Sequence, residues 1–236
     1  MGRGDEMSDD IKLGGFMEVK AEDIEESPPL EELLTEKPFF SVIIPAHNAA
    51  AYMAKGLNSI AQQSFTDFEL IVVCDACNDE TESIAREYTD RVYVTRYGLD
   101  GMARNAGIDA ARGEWLLFMD DDDWWMHRQA FQIIADNIRS AGEDIDMAVF
   151  DFWWKGRGIA HQSPQGVNIA VWCKAWRRSF IGDTRFPPKP YWSDVDFNAA
   201  MMAKNPRVVF ITTPLYNYNY LRPGSISWRK EQGEIE

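Results

Sequence analysis

Short apolar runs alternate with amphipathic stretches over residues 39–155 of the chain. The runs are rich in Val, Ile, Leu and Phe and are bounded by Pro, Gly or Asp, which is the pattern of buried strands. We predict strands at Phe39–Pro45, Phe68–Val73, Arg91–Thr95, Trp115–Met119 and Asp146–Trp153.

The stretches between these runs repeat apolar residues at helical spacing. In the first stretch, Tyr52, Leu57 and Ile60 fall on one face, and Asn48 is expected to cap the helix. Further helices are predicted at Glu80–Tyr88, capped by Asn78 or Asp79, and at Gly101–Ala111, Arg128–Ile138 and Ser193–Ala203, the last capped by Ser193. Strands and helices that alternate through short connections predict an α/β fold with a doubly wound, mostly parallel sheet.

This alternation ends after residue 155. A late strand is predicted at Arg207–Thr212, and Tyr216, Tyr218 and Tyr220 then alternate, so that one face of an extended segment carries all three. Such a face can stack against a ligand ring or pack against the sheet. We expect this second half to complete the sheet and to line one wall of a cleft.

The segment LLFMDDDDWW, residues 116–125, places four adjacent aspartates at the end of a predicted buried strand. Adjacent carboxylates raise one another's pKa, and hard oxygen ligands of this kind suit Mg²⁺ or Mn²⁺. The alternative is an acidic loop exposed to solvent. Asn48 and Asp75 follow the ends of two other predicted strands, and ligands of such sheets bind beyond the carboxyl ends of the strands. This shared location favours a bound cation.

Several other kinds of site are disfavoured by the motifs present. No GxGxxG follows the first predicted strand and no GxxxxGK[ST] occurs, which argues against a dinucleotide site and a P-loop. Cys74 and Cys77 form a CxxC, which is compatible with a redox pair or with half of a zinc site. Because no second CxxC occurs, we favour two small residues in a turn.

The chain is acidic, with a formal net charge of −14 over 236 residues, and residues 1–38 hold 12 acidic against 4 basic side chains. This balance argues against a broad nucleic-acid or anionic-membrane surface, and no nucleic-acid partner is expected. We predict a flexible acidic leader over residues 1–38. It lacks the basic start and apolar stretch of a secretory signal, and no window of about 18 apolar residues predicts a membrane span.

Five segments together resemble the family 2 glycosyltransferases, and they occur in that family's order. They are SVIIPAHNAAAYMAKGLNSIAQQSFTDFELIVVCDACND, ARNAGIDAARGEWLLFMDDDDWW, VWCKAWRRSF, YWSDVDF and YNYNYLRPGSIS. The resemblance covers about residues 39–228 and implies a GT-A fold and an inverting enzyme that uses a nucleotide sugar. It implies a glycosyltransferase domain over residues 39–230, with a nucleotide-sugar half at 39–130 and an acceptor half at 131–230.

The resemblance also implies a set of donor-binding residues. Those expected to contact the nucleotide are Pro45, Ala46, Asn48, Asp75, Arg104, Asp120 and Asp121. Asp75 would accept a hydrogen bond from the base, unless it caps a helix or turn. Arg104 would face the base or the phosphates, unless it is an exposed helix charge. Asp120-x-Asp122 would hold the Mg²⁺ or Mn²⁺ that bridges the donor phosphates, although Asp121-x-Asp123 fits the same pattern.

On the acceptor side, the resemblance implies that Asp194 is the general base, with Asp196 as a competitor for that role. Trp192, Tyr218 and Arg222 are the implied acceptor-side residues. A basic group, Lys174, Arg177 and Arg178, would face a phosphorylated acceptor or lie on a solvated helix face. The chain also departs from the family pattern: Ser193 stands in place of a glutamate, and Cys74, Ala76 and Cys77 replace an Asp, a Gly and a Ser of the turn around Asp75.

The implied reaction moves a sugar from a nucleoside-diphosphate donor, with UDP favoured, to a hydroxyl of a saccharide or lipid-linked acceptor. The implied setting is envelope or capsule polysaccharide assembly in the cytoplasm, with peripheral contact at the inner face of the membrane. A module that binds nucleotide sugar without turnover is the alternative, and Ser193 favours it. A sugar nucleotidyltransferase is disfavoured because the segment HNAAAY lacks a glycine-rich, basic phosphate loop.

Overall fold

The computed structural model describes residues 37–220 and 222–235, so the predicted leader lies outside the described residues except for its last two positions. Within these ranges the chain forms nine strands and seven helices. The strands are β1 Phe40–Ala46, β2 Phe68–Asp75, β3 Val92–Thr95, β4 Trp115–Phe118, β5 Trp124–Trp125, β6 Met147–Trp154, β7 Gly158–Ala160, β8 Lys174–Arg177 and β9 Val208–Tyr218. The helices are α1 Met53–Ala61, α2 Thr81–Arg86, α3 Asp100–Ala110, α4 Ala130–Ala141, α5 Arg178–Ile181, α6 Ser193–Ala203 and α7 Ile226–Glu231.

The predicted strands and helices are all present, with small shifts at their ends, but two predicted caps are wrong. The side-chain oxygen of Asn48 accepts a hydrogen bond from the Asn78 backbone N–H at 2.9 Å, and Tyr52 is the residue that precedes α1. Ser193 is the first residue of α6, because Trp192 takes the cap position in a left-handed backbone conformation with φ 61°. Both side chains are therefore available for contacts away from their helices.

One sheet runs through the described residues in the order β3-β2-β1-β4-β8-β6-β9-β5, with β7 paired to β6. The first four strands in this order are parallel, as predicted. The second half is mixed: β8 is antiparallel to both β4 and β6, β9 is parallel to β6, and β5 and β7 pair antiparallel. Parallel pairing therefore dominates only where a helix connects each strand to the next.

Helices cover both faces of the first half of the sheet. On one face of β1, Val42 and Ile44 belong to a core that includes residues of α1 and α4. On the other face, Ile43 packs in a second core with residues of α3 and α6. A Cβ added to Gly107 of α3 would lie only 2.3 Å from Ile43 Cγ2. Helix α3 therefore lies close against β1 because residue 107 is glycine.

This packing sets the carboxyl ends of β1, β2 and β4 side by side. Ala46 pairs with Cys74, so that β1 and β2 end together, and Ile43 pairs with Phe118 at the end of β4. The aspartates that follow β4 thus emerge next to the ends of β1 and β2. Among the described residues, no helix is both long enough and apolar enough to cross a membrane.

We predict that Gly107→Ala lowers the free energy of unfolding by about 1–3 kcal/mol, because the added methyl group overpacks against Ile43. Gly166→Ala is the matched control: a Cβ there meets nothing within 4 Å, so a change below about 0.5 kcal/mol is expected. Denaturant midpoints at constant slope measure both values. Stabilisation by Gly107→Ala, as expected for a glycine in an exposed helix, would contradict this packing.

Candidate active site

A cleft of about 1160 Å³ runs along the carboxyl ends of β1, β2 and β4. Both halves of the domain contribute to its lining. The predicted donor-binding residues, the predicted base and the three implied acceptor-side residues all line this cleft: Pro45, Ala46, Asn48, Asp75, Arg104, Asp120, Asp121, Asp122, Trp192, Asp194, Tyr218 and Arg222. The fold thus brings the residues together around one opening, while the role of each stays a prediction.

Asp123, the last of the four aspartates, turns away from the cleft and into the protein. It is 1% exposed, and its carboxylate accepts hydrogen bonds from the Tyr216 hydroxyl and the Asn219 backbone N–H, both at 2.7 Å. Burial raises the pKa of Asp123 well above its usual range, and the neighbouring Asp122 and Asp120 raise it further. Asp123 therefore ties the segment after β4 to the end of β9, and of the two alternative pairs only Asp120 and Asp122 both line the cleft.

Two arginines hold the cleft-facing aspartates. Arg104 Nη2 lies 2.7 Å from Asp120 Oδ1, and Arg222 Nε lies 2.5 Å from Asp122 Oδ2. The Arg222 guanidinium also lies 4.0 Å from the centre of the Tyr52 ring. Arg222 was predicted with the acceptor-side residues, but these contacts place it with the aspartates.

The carboxylates of this cluster destabilise one another. Burial and, to a smaller extent, the neighbouring Asp122 together raise the pKa of Asp121 to about 7. Burial also raises the pKa of Asp120 to about 6, with Asp122 adding to the effect and Arg104 opposing it. A cation bound between these groups would relieve the repulsion.

The cluster fits a divalent cation only if a ligand completes the coordination shell. Among the described residues, no three His, Cys, Asp or Glu side chains are arranged to hold a metal ion. Mg²⁺ is typically held by about one or two carboxylates together with substrate phosphates and water. Asp120 and Asp122 supply that number of carboxylates at the floor of a cleft wide enough for a diphosphate.

Asp75 lies at the end of β2, with its carboxylate bonded to the loop that leads into α3. Its Oδ1 accepts hydrogen bonds from the Tyr97 backbone N–H at 2.6 Å and from the Thr95 hydroxyl at 2.9 Å. Its Oδ2 accepts from the Leu99 backbone N–H at 3.0 Å. This agrees with the turn-cap alternative, and Asp75 therefore fixes the start of α3 whether or not it also contacts a ligand.

Arg104 is buried and does not project from its helix into solvent, so the exposed-charge alternative is wrong. Its side chain is 7% exposed, and Nη1 lies 2.5 Å from Asp100 Oδ2, one helical turn earlier. Charge attraction from Asp100, Asp120 and Asp194 outweighs burial and raises the Arg104 pKa above its ordinary value. The guanidinium therefore stays charged at the floor of the cleft.

Asp194 lies in the first turn of α6 and lines the cleft, whereas its competitor Asp196 does not. Asp196 instead pairs with Lys189 at 2.5 Å. Burial raises the pKa of Asp194, with Asp100 adding to the effect and Arg104 opposing it. Asp194 is thus a stronger base than an exposed aspartate, on the same cleft as the carboxylates that follow β4.

The three alternating tyrosines belong to a row of aromatic rings, as their shared face predicted. Tyr216 stacks on Trp172 with ring centres 4.8 Å apart, and Tyr218 lies 4.9 Å from the same ring. Tyr220 meets Trp154 at 5.2 Å. Tyr216 is fully buried, so it serves packing, while Tyr218 and Tyr220 line the cleft.

The basic group predicted to face a phosphorylated acceptor does not reach the cleft. Lys174 is fully buried, and its Nζ donates to the backbone carbonyls of Asn168, at 2.5 Å, and Ala170. Arg177 and Arg178 donate to backbone carbonyls of Ile145 and Gly113. These cations support the backbone around β8, so this prediction is wrong.

In the CxxC pair, Cys74 is buried near the end of β2 and Cys77 is half-buried in the turn that follows. Burial raises the pKa of the Cys74 thiol to about 12, and burial also raises the pKa of Cys77. Cys77 Sγ contacts the Ala46 carbonyl at 3.4 Å. Neither thiol has the low pKa of a redox nucleophile, which agrees with the prediction of small residues in a turn.

Two cleft residues with important contacts were missed from sequence. Asp100 stands four positions before Arg104, and this spacing of opposite charges on a helix could have predicted the ion pair. Tyr52, the residue directly before α1, contacts Arg222, and this contact has no local signal because 170 positions separate the two residues.

Comparison with known proteins gives relatives that are glycosyltransferases by name. EpsH of Bacillus subtilis (strain 168), whose name describes a glycosyltransferase, is 29% identical over 217 residues. That match covers 78% of this chain and 61% of EpsH. The chain thus spans about three fifths of the length of this curated relative.

Solved structures share the fold. Residues 1–349 of TarS from S. aureus, in complex with UDP-GlcNAc, superpose with a TM-score of 0.70 at 25% identity, covering 80% of this chain and 60% of that one. Glucosyl-3-phosphoglycerate synthase from Mycobacterium tuberculosis, solved with Mg²⁺ and UDP, superposes with a TM-score of 0.59 over 87% of this chain and 82% of its own. Its identity is 17%, so this second likeness concerns the fold alone. The predicted GT-A fold class is confirmed by these superpositions.

The family predicted from the five sequence segments is confirmed as well. The family model described as "Glycosyl transferase family 2" matches residues 41–205, which is well over half of the chain. That range includes β1, the aspartates after β4 and the start of α6, and therefore most of the cleft. The chain belongs to glycosyl transferase family 2.

Proposed function

We propose that the protein is an inverting, metal-dependent glycosyltransferase. It would move a sugar from a UDP-sugar to a hydroxyl group of a saccharide or lipid-linked acceptor. The observation that carries this proposal is the placement of Asp120, Asp122 and Asp194 around one cleft at the carboxyl ends of the strands. Membership of family 2 supports transfer as the reaction, and the UDP-GlcNAc complex of TarS supports UDP as the carrier.

On the donor side, Asp120 and Asp122 would hold Mg²⁺ or Mn²⁺, which supplies a Lewis acid at the donor phosphates when bound. Arg104 keeps Asp120 in place from the buried side. Arg222 would release Asp122 and turn to a phosphate oxygen, since a guanidinium and a divalent cation compete for the same carboxylate. Pro45, Ala46, Asn48, Asp75 and Asp121 would shape the pocket for the nucleoside.

On the acceptor side, Asp194 would take the proton of the acceptor hydroxyl as its oxygen attacks the anomeric carbon. The bond from that carbon to the phosphate oxygen breaks in the same step, and the nucleoside diphosphate leaves with its electron pair. Attack opposite to the leaving group inverts the anomeric configuration. Trp192 and Tyr218 would contact the acceptor, because both line the cleft that Asp194 faces.

A second candidate is a nucleotide-sugar-binding module without turnover. Ser193 favours it, because the family pattern has a carboxylate at this position and Ser193 is fully buried. Release of UDP from UDP-sugars in the presence of Mn²⁺ separates the two candidates. A transferase hydrolyses its donor slowly without an acceptor, whereas a binding module shifts its melting temperature with UDP but releases none from a UDP-sugar.

We predict that UDP raises the melting temperature of the protein only when Mn²⁺ or Mg²⁺ is present. At a ligand concentration of about 100 Kd, binding to the folded state adds about 2.7 kcal/mol, which is an increase of several degrees. Asp122→Ala should abolish this increase, whereas Asp183→Ala, at an exposed position outside the cleft, should keep it. Equal stabilisation by UDP with and without the cation would refute the role of Asp122.

We predict that Asp194→Asn lowers kcat by about 10²- to 10⁴-fold, the usual contribution of a general base. Binding of UDP and Mn²⁺ should persist, because the donor carboxylates are unchanged. Asp196→Asn is the matched control on the same helix and should keep near-normal kcat, since Asp196 does not line the cleft. Loss of activity in Asp196→Asn with normal activity in Asp194→Asn would reverse the assignment.

We predict an acid limb of kcat, measured at saturating donor and Mn²⁺ so that the donor-side carboxylates are already engaged, at a pH above about 3.9, the pKa of an ordinary aspartate. The base acts in its ionised form, and burial raises the pKa of Asp194. Activity should therefore be complete above the raised pKa and fall as the pH drops through it. The limb should be missing from the residual activity of Asp194→Asn. An unchanged limb in that variant would assign the titration to another group.

A further inference from the structure

Arg104 bridges two carboxylates at the floor of the cleft. Its Nη1 lies 2.5 Å from Asp100 Oδ2 and its Nη2 lies 2.7 Å from Asp120 Oδ1. The Arg104 side chain is 7% exposed, whereas the side chains of Asp100 and Asp120 are 30% and 27% exposed, so both ion pairs are partly shielded from water and stronger than on an open surface. The orientation of this guanidinium thus depends on Asp100 as much as on Asp120.

Asp100 also contacts the helix that carries the proposed base. Its Oδ1 accepts a hydrogen bond from the Ser193 hydroxyl at 3.2 Å, across the contact between α3 and α6. Ser193 directly precedes Asp194. Polar contacts therefore run from Asp120 through Arg104 and Asp100 to the start of α6, linking the proposed cation site to the proposed base.

The backbone around Asp100 is built to make this contact. A Cβ added to Gly101 would lie 2.8 Å from Ser193 Oγ, so a glycine at 101 lets α3 and α6 approach closely. Asp75 fixes the residue before Asp100 by accepting from the Leu99 backbone N–H at 3.0 Å. Asp100 therefore projects from an anchored helix start toward a serine that stands where the family pattern has a glutamate.

The charges explain why a carboxylate is needed at this place. Asp194 attracts Arg104 as well, together with Asp100 and Asp120. If Asp100 lost its charge, the guanidinium would be held less firmly and would be drawn toward Asp194. An ion pair with Arg104 would make Asp194 a weaker base. Asp100 thus holds Arg104 on Asp120 and leaves Asp194 able to accept a proton.

We propose that Asp100 is a positioning residue for sugar transfer, which supplies from α3 the carboxylate that position 193 lacks. This inference rests on the proposed function, because it assigns Asp100 a task in that reaction. The proposal explains how a protein with Ser193 in place of the family's glutamate can retain turnover. The negative charge that the family pattern places on α6 is supplied here by Asp100 on the facing helix α3.

Four variants test the proposal: Asp100→Asn, Asp100→Ser, Ser193→Asp, and the double variant Asp100→Ser with Ser193→Asp. Turnover is measured as UDP release from UDP-glucose, UDP-galactose and UDP-GlcNAc with Mn²⁺, and kcat and KM are determined separately. Asp100→Asn keeps the shape and the oxygen that accepts from Ser193 but removes the charge. We expect kcat to fall at least tenfold in Asp100→Asn and Asp100→Ser, with donor KM changed less than threefold.

The double variant is the decisive one, because it exchanges the two side chains between the helices and conserves their total charge. We expect it to recover at least tenfold in kcat over Asp100→Ser. Ser193→Asp alone should lose activity, because it places a second carboxylate beside Asp100. Melting temperatures of all variants show which of them are folded. If the double variant does not fold, the nearly isosteric Asp100→Asn variant still tests the proposal.

Normal kcat in Asp100→Asn would overturn the proposal, since a merely structural contact survives that change. A folded double variant no more active than Asp100→Ser would overturn it as well. Absence of UDP release from the wild-type protein would overturn the proposed function and this inference with it. Turnover by the wild-type protein together with a normal Asp100→Asn variant would overturn this inference alone.

Discussion

The crowding of carboxylates at the carboxyl end of β4 is the constraint on which the site depends. Asp120, Asp121 and Asp122 follow one strand in direct succession, and their mutual repulsion must be offset within the fold. Arg104 forms an ion pair with Asp120 from the buried side, and Arg222 forms an ion pair with Asp122 from the cleft side. Two guanidinium groups thus offset part of this repulsion, and in the proposed function a metal ion and a diphosphate would take the place of Arg222 at Asp122.

The second half of the chain completes this site by holding the end of β4 in place. Asp123 receives hydrogen bonds from Tyr216 and Asn219, so the position of the aspartates depends on β9. Asp194 also belongs to the second half of the chain. It lies on α6, which packs against α3, the helix that carries Arg104. In the proposed function, the cation would bind and the acceptor proton would be removed near the same buried arginine.

The hydrophobic pattern within short segments predicted much of this architecture, because each strand and helix of a parallel sheet can be recognised from neighbouring residues alone. The presence of β1, β2, β3 and β4, their parallel pairing and the position of the aspartates followed from it. The mixed second half did not, since the partners of β8 and β9 depend on contacts between distant segments. The burial of Lys174 was missed for the same reason: its charge suggested a surface, but backbone carbonyls enclose it. The bridge from Asp100 to Ser193 joins residues 93 positions apart and appears only in the folded chain.

The most direct measurement of the central claim is a crystal structure of the protein soaked with UDP and Mn²⁺, with manganese located by its anomalous scattering. We predict one manganese peak within coordination distance of Asp122 and both phosphates, with Arg222 moved off that carboxylate and Asp194 facing the open side of the diphosphate. A manganese peak away from the aspartates, or UDP bound in the cleft while Arg222 still holds Asp122, would contradict it.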